Sequence, residues 1–304
     1  MATKIERDGV TGTDTTGHEW DGIKELNTPL PKWWLYTFYA TVIWGLAYTV
    51  FYPAWPMISG ATPGILGYSS RAELVKEVDV AKGAQKENLD KIAAASVEDI
   101  LKDEKLLAFA RAGGAAAFKV NCVQCHGSGA AGSVGYPNLN DDDWLWGGQP
   151  EQIHTTLQNG IRYTPNADSR VMDMQVFGPD PANGNAAALK PEEIANVANF
   201  VMTLSGAEAD AAKAAAGKEL YATNCASCHG DGGKGNKDMG SPNLTDKIWL
   251  NGSTIENVTA QISRPRMGVM PAWGARLDAV TIKQLAVYVH ALGGGEAPVA
   301  PPTQ

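Results

Sequence analysis

Each of the four cysteines in this 304-residue chain belongs to a pair, and a histidine directly follows each pair. The two motifs are Cys122-Val123-Gln124-Cys125-His126 and Cys225-Ala226-Ser227-Cys228-His229. Cysteines three apart on one turn can add across the two vinyl groups of a haem, with the next histidine placed to bind the iron. The pattern therefore points to two covalently attached haem c groups, one on Cys122 and Cys125 and one on Cys225 and Cys228. His126 and His229 are the expected iron ligands. Two other chemistries stay open on spacing alone. The four thiols could share a zinc ion, which requires the distant pairs to meet, or a pair could be a thioredoxin-like dithiol, which expects a βαβ setting that the sequence lacks. Four cysteines are too few for a disulfide-stapled scaffold.

The segment that holds the first motif is written twice. Gly114, Phe118, Asn121, Cys122, Cys125 and His126 recur as Gly217, Tyr221, Asn224, Cys225, Cys228 and His229, and Pro137-Asn138-Leu139 and Trp144 recur as Pro242-Asn243-Leu244 and Trp249. Each copy closes with one apolar helical stripe: Ile194, Val197, Ala198, Val201 and Leu204 after Pro191, then Ile282, Leu285, Ala286, Val289 and Leu292. Period-two alternation is absent over any useful length, so the fold class is all-α. Two duplicated domains are expected, at residues 106–205 and 207–294, with a Pro-rich disordered tail over 295–304.

A haem iron held low-spin for electron transfer needs a sixth ligand, and a methionine thioether raises its potential. Arg266-Met267-Gly268-Val269-Met270-Pro271-Ala272-Trp273-Gly274 resembles the methionine loop of class I c-type cytochromes and selects Met270 for the second domain. Arg170-Val171-Met172-Asp173-Met174-Gln175-Val176-Phe177-Gly178 has the same aromatic-glycine ending and selects Met174 for the first. Met172, two residues away, and His154 remain alternatives there. Met202 reads as core, Met239 as loop, and His290 as a surface or partly buried side chain. Asp141, Asp142 and Asp143 read as a solvated acidic patch starting a helix.

Residues 33–70 contain no charged side chain. The apolar run within them is long enough, at helical rise, to cross the ~30 Å hydrocarbon core, and it is flanked by Trp33, Trp34 and Tyr36 at one end and Tyr52 and Trp55 at the other. The expected plan is an N-terminal arm over 1–32, a transmembrane anchor over 33–56 and a tether over 57–105, whose charged stretch from Arg71 to Lys105 is expected to form short surface helices. Hydrophobic residues at 44% and charged ones at 19% exclude collagen-like and disordered classes, and a net charge of −8 argues against a nucleic-acid partner. The first repeat carries five basic and nine acidic residues and the second nine and eight, so the first is the expected docking surface for a basic partner.

Anchor, tether and two haem motifs in this order resemble the dihaem subunit III of cbb3-type cytochrome c oxidases, the CcoP/FixP family. The arm carries part of the likeness, in His18-Glu19-Trp20-Asp21-Gly22-Ile23, Asn27-Thr28-Pro29-Leu30-Pro31 and Trp33-Trp34. The resemblance implies two tandem class I cytochrome c-like domains behind one transmembrane helix. It also implies an electron-transfer role, itself non-catalytic, in a proton-pumping respiratory oxidase complex. Electrons would pass from a donor cytochrome c towards a monohaem c subunit and the haem-copper subunit that reduces oxygen. The arm would lie in the cytoplasm, the anchor in the bacterial inner membrane and the haem domains in the periplasm. An anchored dihaem carrier for another respiratory enzyme, or a dihaem peroxidase, are the competing readings.

Overall fold

The computed structural model describes residues 4–179 and 187–297, and most of the tail expected over 295–304 therefore lies outside the described residues. The chain divides into two compact units, residues 1–84 and 85–304.

The first unit opens on a hairpin whose strands lack the clean alternation expected of β-structure. Strands β1 (Thr15–Trp20) and β2 (Ile23–Leu26) pair antiparallel across Asp21-Gly22. Both turn residues have positive φ, +51° and +83°, the conformation that Asp-Gly supplies at a two-residue hairpin turn. The buried Thr15 side chain accepts a hydrogen bond from the Glu6 backbone N–H at 3.0 Å, and Lys24 pairs with Glu6. Helix α1 (Lys32–Phe51) follows, then the minimal pair β3 (Pro56–Met57) and β4 (Gly60–Ala61). None of the α1 residues is buried. Among the described residues no helix is long and apolar enough to cross a membrane. Helix α1 has the length, but Trp, Tyr, Thr and Gly dilute its apolarity.

Most of the charged stretch forms one long helix, α2 (Ser70–Ala94), supported by i,i+4 pairs Lys86–Asp90 and Glu87–Lys91, and only its end forms a short one. Its end belongs to the second unit. Ile92, together with Val97 and Ile100 of α3 (Val97–Lys102), is almost wholly buried, so the expected tether already contributes core before residue 106. Ser96 caps α3, its Oγ accepting from the Asp99 N–H at 3.1 Å.

The rest of the second unit is helical: α4 (Glu104–Asn121), α5 (Val123–His126), α6 (Pro150–Asn159), α7 (Pro191–Leu204), α8 (Ala211–Asn224), α9 (Ala226–His229), α10 (Ile255–Ser263) and α11 (Ala279–His290). Both closing helices form where the apolar stripes place them. Their partners differ from the expectation of one domain per repeat. Helix α11 packs against α4 and α6 of the first repeat, whereas α7 packs against α8 and α10 of the second. Phe118 meets Tyr288 with ring centroids 5.3 Å apart, and Phe200 meets Tyr221 at 5.1 Å. Two cores result. One joins Ile92, Ile100, Leu106, Phe118, Ile153 and Leu157 to Ile282, Leu285 and Val287. The other joins Ile194, Val197, Val201 and Met202 to Tyr221, Val258 and Ile262.

The chain therefore builds a first globule from residues 92–161 and 270–297, with the second, from 162–269, inserted between them. The near-identity of the two stripes explains why the pattern of each repeat, taken alone, pairs the wrong helices. Charge is redistributed by the exchange. The first globule holds six basic and ten acidic residues and the second ten and twelve, so both are acidic and the contrast between repeats largely disappears.

Candidate haem-binding sites

Both Cys-x-x-Cys-His motifs sit at the same structural corner. Helix α4 ends at Asn121, and Cys122 occupies its cap, its N–H donating to the Phe118 carbonyl at 2.9 Å. The single turn α5 then brings Cys125 and His126 round, with the His126 N–H donating to the Cys122 carbonyl at 2.9 Å. Gly127, at φ +77°, ends the turn in a conformation that favours glycine. The second motif repeats this between α8 and α9, from Cys225 N–H to Tyr221 O at 2.9 Å through His229 to Gly230 at φ +77°. Asn121 and Asn224 brace the corners by donating to the Ala117 and Leu220 carbonyls.

The histidines are oriented identically. His126 Nδ1 lies 3.1 Å from the Pro137 carbonyl, and His229 Nδ1 lies 3.2 Å from the Pro242 carbonyl. A carbonyl can only accept, so Nδ1 carries the proton and Nε2 is left as the lone-pair nitrogen able to bind a metal. Burial pushes both imidazoles down in pKa, which favours the neutral ligand form. The repeated Pro-Asn-Leu segment has its role here: it supplies the carbonyl that fixes the ligand.

None of the four cysteines is in a disulfide. Burial, helped by Cys125 and Cys228, pushes Cys122 and Cys225 up to about 11, away from the thiolate that a dithiol nucleophile uses. Among the described residues no group of three or more His, Cys, Asp or Glu is arranged to hold a metal ion, so the four-cysteine zinc reading finds no site. The residues present fit a haem c at each corner. A further sign is Trp146, whose buried indole Nε1 has no hydrogen-bond partner, an orphan donor suited to an acceptor such as a haem carboxylate. The Arg170 guanidinium lies over its ring, 5.5 Å from the centroid. Trp146 has no tryptophan counterpart in the second repeat, where Asn251 stands, and so the repeat does not single it out.

The methionines fall in unexpected company. Met270 packs against the core that contains Cys122, and Met174 against the core that contains Cys225, the reverse of the repeat-by-repeat assignment. Met172 is more exposed, and its backbone carbonyl is held by Arg162. Met202 is buried core and Met239 lies in a turn. His154 is half-buried on α6, with Nδ1 3.8 Å from Glu151, and His290 Nε2 lies 2.9 Å from the Glu296 carbonyl. Asp141, Asp142 and Asp143 start no helix, since α6 begins only at Pro150. Instead Asp143 is partly buried beside Asp246 of the other repeat.

Comparison with known proteins covers the chain almost end to end. Residues 12–59 match the family model for the N-terminal domain of cytochrome oxidase-cbb3, FixP. Residues 112–205 match cytochrome c, and residues 212–289 match cytochrome c oxidase, cbb3-type, subunit III. The chain is 53% identical over 297 residues to the cbb3-type cytochrome c oxidase subunit FixP of Rhizobium meliloti, spanning 97% of this chain and all of that protein. It is 52% identical over 300 residues to FixP of Bradyrhizobium diazoefficiens, spanning 97% and 100%, and 49% identical over 282 residues to CcoP of Cereibacter sphaeroides, spanning 93% and 95%.

Proposed function

The chain belongs to the FixP/CcoP family, subunit III of the cbb3-type cytochrome c oxidases, and from that premise we propose that it is the dihaem electron-transfer subunit of such an oxidase. The observation that carries this is the twice-built Cys-x-x-Cys-His corner, in which Nδ1 of the histidine is spent on a proline carbonyl and Nε2 is left for iron. Bound haem c supplies a reversible one-electron couple. Cys122 with Cys125, and Cys225 with Cys228, would each hold one haem covalently. His126 and His229 would bind the irons, with Met174 and Met270 as the second protein ligands. The surrounding apolar cores exclude water and, with the thioether ligands, favour a high potential.

A methionine available to each iron would leave no open position for oxygen or peroxide. The chain is then a non-catalytic subunit: electrons enter from a donor cytochrome c and leave towards the monohaem c subunit and the haem-copper subunit that reduces oxygen. Helix α1 is read as the single membrane anchor. It spans 20 residues, about 30 Å, with no charge after Lys32 and no buried residue. Its indole and phenol rings suit the two lipid interfaces. The arm before it is then cytoplasmic and the haem domains periplasmic.

Affinity purification of the tagged chain from membranes tests this reading. The expected result is co-purification of haem b and copper with two haems c per chain. A chain that purifies alone, binds carbon monoxide on reduction and turns over peroxide would establish the peroxidase reading instead.

A further inference from the structure

Resting on the reading of α1 as the membrane anchor, we propose that residues 53–69 form an apolar knob that binds lipid at the leaflet where α1 ends. Its tip, Met57 and Ile58, enters the boundary between headgroups and acyl chains. The chain then holds the membrane by two contacts, a spanning helix and a hairpin beside its end.

The backbone of the knob caps the helix. A helix end leaves its last carbonyls without partners inside the helix. Here the chain returns to cover them: the Ile65 N–H donates to the Val50 carbonyl at 3.0 Å, and the Leu66 N–H to the Phe51 carbonyl at 3.1 Å. Gly64, at φ +70°, permits the return, because a Cβ there would sit 2.5 Å from the Phe51 carbonyl oxygen. Tyr52 and Tyr68 meet edge to face across the same join, with ring centroids 5.5 Å apart. Further out, β3 pairs with β4, the Thr62 N–H donates to the Trp55 carbonyl at 2.9 Å, and the Trp55 N–H donates to the Thr62 hydroxyl at 3.1 Å. An unpaired backbone group is costly in hydrocarbon. These bonds remove that cost for the groups nearest the helix, and the remaining ones stay within reach of hydrated headgroups.

The side chains of the knob are turned outward. Ile58 is wholly exposed, and Trp55, Met57, Ile65 and Leu66 are each more than half exposed. Polar side chains serve the chain's own backbone instead: Thr62 as above, and Ser69, whose Oγ accepts from the Ala72 N–H at 3.3 Å where α2 begins. The knob carries no charged residue to fix the register of a protein partner. Lipid is the occupant that this composition fits, since an interface needs only apolar area and accommodates indole and phenol rings. The knob is also continuous with α1, so insertion of the helix brings it to the membrane surface. Its contact sets the level at which α2 leaves the bilayer.

Photochemical labelling of the full chain in cell membranes tests the proposal. Ile58→benzoylphenylalanine should give lipid adducts on illumination, seen as a mass gain of a phospholipid on the tip peptide. A cross-link to another protein in place of lipid, or no adduct, would overturn the knob. Ile43, exposed in the middle of α1, serves as the control. Adducts at position 43 with none at position 58 would overturn the knob and leave the anchor standing. The absence of any adduct at position 43 would overturn the anchor reading as well.

A second measurement reads depth in the full haem-loaded chain, reconstituted in phosphatidylcholine vesicles. A nitroxide on Ile58→Cys should be relaxed more by oxygen than by a water-soluble nickel chelate. One on Lys82→Cys, on the charged surface of α2, should show the reverse. Relaxation at position 58 that favours the chelate, as at position 82, would refute insertion.

Discussion

Gly114 lies against α11 so closely that a Cβ there would sit 2.1 Å from the Gln284 carbonyl oxygen and 2.6 Å from Tyr288 Cβ. The same contact recurs in the other globule, where a Cβ on Gly217 would sit 2.1 Å from the Asn196 carbonyl of α7. Each glycine lets a motif-bearing helix cross a closing helix from the other repeat. Gly114→Ala must push α11 away, and a loss of about 2–3 kcal/mol or more is expected. Thermal unfolding, followed with the far-red methionine band, checks it: about half the band should be lost, since the second globule keeps its own crossing.

Tyr221 is the phenolic counterpart of Phe118, and its hydroxyl donates to the Gly230 carbonyl at 2.9 Å. Burial pushes it up to about 12, so it remains protonated and a donor. Tyr221→Phe should cost about 1 kcal/mol, the usual net value of one such bond, because Phe118 shows that the corner closes without it. Denaturant unfolding of the variant, with haem content unchanged, is the measurement.

Asp143 is pushed up to about 6, first by burial and then by Asp246, Asp141 and Asp142, with Lys237 acting against them. A folded value above the ~4 of the unfolded chain means that the folded protein holds the extra proton. Its contribution therefore favours folding on the acid side and is lost as pH rises through about 6. Asp143→Asn should raise stability near neutral pH by about 1 kcal/mol, discounted for partial exposure, and change little near pH ~4. Melting temperatures at the two pH values decide the matter.

The acidic balance of both globules predicts that reduction by the proposed donor cytochrome c, expected to be basic, is sensitive to salt, since charges farther apart than about 8–10 Å are screened at physiological ionic strength. Stopped-flow reduction should slow several-fold from low to high salt. With the charge contrast between the globules reduced, neutralising acidic residues on either should weaken docking, whereas the repeat-by-repeat charges would confine the effect to the first.

Much of the candidate site is readable from local patterns because its chemistry is local. A helix end, a three-residue cysteine spacing and a following glycine place Cys122, Cys125 and His126 without reference to anything distant, and the repeat doubles the signal. Met174 and Met270 are identified as candidates by their loops. Their partners are decided by helix packing across some hundred residues, where Ile194 and Ile282 offer equivalent apolar stripes. The hairpin over residues 15–26 had a readable signal in Asp21-Gly22, hidden because its strands do not alternate cleanly. Trp146 carries no pattern at all: only its burial without a partner marks it.

The insertion of one globule within the other also sets a timetable. Ribosomes add about 5–20 residues per second, so roughly 5–20 s separate the emergence of Ile161 from that of Met270. Throughout that interval the first Cys-x-x-Cys-His corner exists without the helix that closes over it. A haem joined to that corner within the interval would enter a cradle still open on the side that α11 later covers.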